Sequence, residues 1–303
     1  MSDIREIRDR IKSIEDTEKI TKAMYMISSG KMRKAKKELD RTRPYFDAVE
    51  KEIKRIFRVN DKIKSPYMYP ESGEHDLPGA YAYIVITSDK GLAGYYNHAV
   101  IDAVEKELGD HDYELYVIGE YGRKYFNAHG VAFNDDFLYS AENPTLSRAR
   151  EMTEVLIQKF KKGEISKIFV TYTDLQQGAS QKVKMVRILP FHRGDFVTDL
   201  EERKLEKPLS FVPSAEVVLK NMVRSYVTGF LYSALVDSFC CEQSARMNAM
   251  DDANKNADQL MNELHLEYNH ARQGKITQEI TEISAGAMAL RKKKERSAAE
   301  SEG

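Results

Sequence analysis

Apolar residues fall into three regimes along the chain. Near the N-terminus Ile4, Ile7, Ile11 and Ile14 recur at steps of three and four, the narrow seam of a coiled-coil helix. Thr17, Ile20, Met24 and Ile27 continue the seam with one step shortened, which predicts local overwinding. Ser2 or Asp3 would cap the start, with nearby acids favoured by the helix dipole. Pro44 predicts a kink, yet the spacing resumes with Phe46, Val49, Ile53 and Ile56 or Phe57. The pattern predicts one helix of about 55 residues bent near Pro44.

The C-terminal regime is longer. From Ser214 to Leu290, 77 residues contain no proline and only Gly229, Gly274 and Gly286. Leu219, Tyr226, Phe230, Met247, Met250, Ala257, Leu260, Leu264 and Tyr268 lead into a 4-3-4-3 set, Ile276, Ile280, Ile283, Ala287 and Leu290. Such a helix would span about 115 Å, against a radius of gyration of about 19 Å for a globule of this size. It is expected to protrude and to pair with the N-terminal helix as an antiparallel coiled coil. Its far end should extend beyond the pair, with an apolar seam that needs a surrounding partner.

The middle regime alternates strand and helix signals. All eight prolines lie between Pro44 and Pro213, and 11 of the 16 glycines between Gly73 and Gly194. Strands are expected at 81–87, 114–118, 167–173 and 183–189, separated by helical stretches reaching Leu108, Gly130 and Lys161. Strands spaced by helices imply a mostly parallel sheet. The expected fold class is α/β: a central Rossmann-like α/β domain joined to a long antiparallel coiled coil of N- and C-terminal helices. The divisions are 1–58 (N-terminal helix), 59–80 (linker loop), 81–209 (α/β domain), 210–290 (C-terminal helix) and 291–303 (charged tail). Residues 191–209 also look like a loop.

Composition narrows the class of function. Among 303 residues, 47 basic and 48 acidic side chains leave a net charge of −1, so no global field draws the chain to nucleic acid or membrane. The first residues lack the apolar core of a signal peptide. The longest uncharged apolar run, Ser225 to Val236, has 12 residues, short of the roughly 20 needed to cross a bilayer. Secreted, disulfide-framed and integral membrane proteins are excluded on this reading. Cys240 and Cys241 are adjacent, a spacing that strains a disulfide, and read as small packing residues in a reducing compartment.

Candidate chemistry is sparse. Ser88-Asp-Lys-Gly-Leu-Ala-Gly94 after the first strand fits neither GxGxxG nor GxxxxGK[ST]. Gly30-Lys31 and Gly274-Lys275 lack the rest of a phosphate loop. Ser88 and Asp89 sit where α/β enzymes hold catalytic groups, but also where a turn or helix cap would stand. No GxSxG elbow accompanies them. His265 and His270 are five apart and do not share a helical face, so no metal site is expected. Between Lys19 and Arg43, nine basic residues face two acids, Glu38 and Asp40. That run is a solvated face, a nucleic-acid stripe, or an electrostatic track for acidic protein loops.

The two ends carry more specific motifs. Ile4-Arg-Glu-Ile-Arg8, Ile11-Lys-Ser-Ile14, Thr17-Glu-Lys-Ile-Thr-Lys-Ala-Met24 and Lys31-Met-Arg-Lys-Ala35 resemble the start of the gamma subunit of F-type ATP synthase. Glu242-Gln-Ser-Ala-Arg-Met-Asn-Ala-Met250, Tyr268-Asn-His-Ala-Arg-Gln273 and the stretch from Ile276 to Ala287 resemble its other end. Ser88-Asp-Lys-Gly-Leu92, Gly94 and Asn97 are similar to its glycine turn. The resemblance covers essentially residues 1–290.

The resemblance implies a non-catalytic central rotor shaft without cofactor or metal. Ion flow through the c ring would turn it, and its asymmetry would cycle the catalytic beta subunits for reversible ATP synthesis. It would also regulate ATPase activity and ion flow. The implied partners are the ring of three alpha and three beta subunits, the epsilon subunit and the c ring. No nucleic acid is implied, and membrane association comes only through the complex, peripherally on the cytoplasmic face of a bacterial membrane. Lys19, Lys22, Met24, Lys31 and Arg33 would lie against acidic loops of beta. Arg246, Arg272, Gln273, Thr277 and Glu279 would make polar contacts with the ring, and Ile280, Ile283 and Leu290 would turn in an apolar sleeve. Phe211 and Val212 would belong to the foot on the c ring.

Some residues depart from the family pattern. Ala93 stands for a usual cysteine, Tyr95 for a usual glycine and Val212 for a frequent acid, and Arg291 to Gly303 extend past the usual end. An enzyme using Ser88–Gly94 leaves the two long helices unexplained. A nucleic-acid binder using Lys19–Arg43 would show steeply salt-dependent affinity for DNA.

Overall fold

The computed structural model describes residues 4–59, 63, 65–69, 77–109, 111–175, 181–192 and 211–300, so the proposed cap at Ser2 or Asp3 and most of the expected loops lie outside the described residues. The element order is α1 (Ile4–Val59), β1 (Ala80–Ile86), α2 (Tyr96–Glu105), β2 (Tyr113–Ile118), α3 (Glu120–Ala128), a 3-10 turn (Asp135–Phe137), α4 (Leu146–Lys162), β3 (Ile165–Leu175), β4 (Gln181–Leu189) and α5 (Ala215–Glu300). Pro44 lies inside α1. The last helix continues through the charged residues after Leu290 as far as Glu300.

The sheet order is β2-β1-β3-β4, with β1 parallel to β2 and β3, and β4 antiparallel on the edge. Strand alternation sorts its side chains into two layers. Ala82, Ile84 and Ile86 face the larger core with Leu156 of α4, Ile53 of α1 and Val227 of α5. Tyr83 and Val85 face the opposite layer with Val100 and Val104 of α2 and Phe126 of α3. Gly119, between β2 and α3, has φ +94°, and a Cβ there would stand 2.3 Å from the Thr87 carbonyl oxygen. Only glycine lets the two strand ends approach this closely. Thr145 caps α4 by accepting from the Arg148 backbone N–H at 3.3 Å, and Gly163 ends it at φ +74°.

The chain divides into two compact units, residues 26–249 and residues 1–25 with 250–303. The boundary falls within both long helices, because their sheet-proximal stretches bury Val49, Ile53, Ile56, Leu219, Val223 and Leu231 in the larger core. In the smaller unit the two helices run antiparallel. Arg8 Nη2 donates to the Tyr268 hydroxyl at 3.2 Å, and the Thr21 hydroxyl donates to the Asn254 side-chain oxygen.

The seam differs from the expected one in its second turn group. Half-buried Ile11, Ile14, Glu18, Thr21 and Met24 follow buried Ile7, whereas Ile20 and Ile27 are 61% and 58% exposed. Apolarity drew the expected line through Thr17 and Ile20. The helix instead keeps its 3-4 rhythm through polar Glu18 and Thr21, which are satisfied by Lys22 and Asn254. The short step falls at Thr21–Met24. On α5 the seam likewise passes through half-buried Met261, leaving Leu260 exposed.

Candidate functional site

The turn after β1 is closed by its own side chains. The Ser88 hydroxyl donates to the Lys90 carbonyl at 2.7 Å, and Asn97 Nδ2 donates to Ser88 Oγ at 2.8 Å. Asp89 accepts from the Ser140 hydroxyl at 2.5 Å and from the backbone N–H groups of Glu120 and Glu142 at 3.0 and 3.1 Å. Burial opposes the Asp89 charge, but these donors outweigh it and hold the carboxyl below its ordinary range. Ser88 is fully buried. Both side chains therefore build a turn.

Arg246 of α5 seals that turn. Its Nη1 lies 2.7 Å from Glu242 Oε1, and its Nη2 donates to the carbonyls of Lys90 and Gly91 at 3.2 and 3.1 Å. In a phosphate cradle, backbone N–H groups would point into the turn. Here a guanidinium binds the carbonyls. Arg246, which the resemblance places among the polar contacts with the ring, thus also makes these bonds within the chain.

The other resemblance-based positions divide by exposure. Lys19 and Lys22 are exposed and paired within their own helix to Asp16, at 3.0 Å, and Glu18. Met24 is half-buried, Arg33 is exposed, and Lys31 bridges to Glu142 at 2.8 Å. Lys31 holds the Glu142 carboxyl below its ordinary range. From Arg272 to Arg291 every residue of α5 is exposed, so Arg272, Gln273, Thr277 and Glu279 share that stretch with an uncovered apolar line. In this line Ile280 is 59% exposed, Ile283 72% and Leu290 68%. The Thr277 hydroxyl is turned back onto the Gln273 carbonyl at 3.0 Å.

Comparison with known proteins decides the family. The ATP synthase family model matches residues 3–290. The chain is 38% identical over 293 residues to the ATP synthase gamma chain of Ruminiclostridium cellulolyticum, covering 95% of this chain and 99% of that one. The chain belongs to the ATP synthase gamma-chain family. It is also 33% identical to the sodium ion specific ATP synthase gamma chain of Acetobacterium woodii, over 95% of this chain and 98% of that one. Among solved structures, a chain of the Euglena gracilis mitochondrial ATP synthase has the same fold (TM-score 0.63, 15% identity, 95% of this chain and 94% of that one). A central stalk/c-ring chain from Tetrahymena thermophila matches at TM-score 0.53 and 22% identity, over 77% of this chain and 99% of that one.

As a gamma chain it is a non-catalytic subunit of its complex. Its departures from the family pattern now have environments. Ala93 is buried with Tyr96 and Cys241, and Tyr95 is 66% exposed and hydrogen-bonded to Asp102. Phe211 packs on the large core while Val212 is 85% exposed. Both cysteines are buried free thiols, and burial pushes Cys240 up to about 12 and Cys241 still further in the same direction.

Residue patterning put Ile20 and Ile27 in the seam and passed over Met26 and Leu266, yet all four are large apolar side chains more than half exposed on the long helices. Their signal is apolarity out of phase with the seam, visible only once the correct phase is known.

Proposed function

We propose that this chain is the rotating shaft of an F-type ATP synthase, transmitting c-ring rotation to the catalytic beta subunits and running backward during ATP hydrolysis. The observation carrying this reading is the α5 stretch from Arg272 to Arg291, exposed throughout, with Ile276, Ile280, Ile283 and Leu290 on an uncovered line. A bare apolar line on a helix is poorly soluble unless something surrounds it, and a ring of three alpha and three beta subunits would surround it. Lys19, Lys22, Met24, Lys31 and Arg33 are its contacts with acidic loops of beta. Arg246, Arg272, Gln273, Thr277 and Glu279 are its polar contacts with the ring, and Arg246 also holds the Ser88–Gly94 turn. Phe211 and Val212 contact the c ring, with epsilon beside the α/β domain. The assembly lies peripherally on the cytoplasmic face of a bacterial membrane.

Mixing the full chain with cognate alpha and beta subunits tests the shaft role. A stable complex near three alpha, three beta and one of this chain is expected, with ATPase activity far above either component. The variant I280S/I283S should fold alone and weaken that activity. Failure of the unaltered chain to assemble, or nucleotide turnover by the isolated chain, would overturn the reading.

A further inference from the structure

We infer that a groove in the unit of residues 26–249 receives an acidic amphipathic helix from a partner protein. Two adjoining cavities of about 520 and 670 Å³ share Arg41, Thr42 and Leu146, and so form one groove lined by α1, the N-terminal half of α4 and α5. It follows α1 from Lys31 to Phe46, about 22 Å or four helical turns. That length suits a helix better than a compact small molecule.

The lining has the polarity such a helix requires. Phe46, Leu146, Tyr232 and Val236 supply an apolar floor. Among the lining residues, α1 supplies Lys34 and Arg41, α4 supplies Arg150 and α5 supplies Arg224. Glu154 engages Arg224 at 3.1 Å and Glu38 only approaches Arg41 at 3.9 Å. Among the described residues no ion pair holds Lys34 or Arg150. A helix laid in the groove would bury an apolar face and set flanking carboxylates against these cations. The inference stands on the groove alone and does not require the rotor role.

The test uses the full chain and a fluorescein-labelled helix-forming peptide of about 16 residues, with Leu at i, i+3, i+4 and i+7 and Glu on both flanks. Anisotropy titration should show binding at least about tenfold tighter than for the same peptide with Lys replacing Glu, about 1.4 kcal/mol. In R41E/R150E, checked for folding by circular dichroism, the preference should reverse. K182E, at an exposed position of β4, should keep it. Absent binding, equal binding of both peptides, or a preference unmoved by R41E/R150E would overturn the inference. So would self-association of the chain abolished by the same variant, which would make a second copy the occupant.

Discussion

Arg246 and Glu242 form an ion pair one helical turn apart on α5, with 2.7 Å between Nη1 and Oε1 and side chains only 9% and 5% exposed. A pair this buried adds little net stability when intact, but removing one partner strands the other charge. Arg246 also carries the hydrogen bonds that hold the Lys90 and Gly91 carbonyls to α5. The pair thus connects the glycine turn of the sheet to the C-terminal helix.

Arg246→Ala should accordingly destabilise the chain by about 3–5 kcal/mol at neutral pH. Burial already raises the Glu242 carboxyl, and Arg246 is the main group pulling it back. Without Arg246 the folded state binds a proton that the unfolded state has released, so the variant's stability should fall as pH rises through that window. Urea unfolding at acid and neutral pH checks this. A loss equal at both would refute the role given to Glu242.

Asp237 offers a second pH-dependent site. Burial raises its carboxyl to about 6, helped by Asp174 and opposed by Arg43 and Lys184. The folded state therefore holds a proton between the ordinary carboxylate value and about 6, and stability contributed by this site declines as pH rises across that interval. Asp237→Asn should be more stable than the unaltered chain by about 1–3 kcal/mol near pH 8, with the difference vanishing near pH 4. Thermal unfolding across that range would show it.

Gly229 of α5 lies directly against Phe46 of α1, since a Cβ there would lie 2.2 Å from the Phe46 ring. Gly229→Ala should cost about 1–3 kcal/mol through overpacking. In a Phe46→Ala background the clash is gone, and the same change should instead gain up to about 1 kcal/mol from helix propensity. A double-mutant cycle by chemical denaturation separates the two.

Ile7 and Ile20 test the phase of the seam. Ile7 is 2% exposed and Ile20 61%. Ile7→Ala should destabilise the smaller unit by about 2–4 kcal/mol, whereas Ile20→Ala should stay within about 0.5 kcal/mol in the isolated chain. Hydrogen exchange over residues 4–25 reads both. A large effect at Ile20 would restore the out-of-phase seam.

Much of this was legible from local pattern. Proline-free ends with 3-4 apolar spacing specify long helices because one face must be buried every turn. Short β-branched runs between glycines and prolines specify strands, so β1 to β4 emerged within two residues of their expected limits. Terminal motifs specify the family. Tertiary structure alone decided which residues face inward where the pattern was ambiguous: Thr21 entered the seam because Asn254 of the partner helix accepts its hydroxyl, Glu18 entered it paired to Lys22 of its own helix, and Ile20 and Ile27 were left outside. It also turned Ser88 and Asp89 into a turn and drew Arg246 onto the Lys90 and Gly91 carbonyls. Those outcomes depend on contacts between residues as far as 233 positions apart, and no local periodicity carries that information.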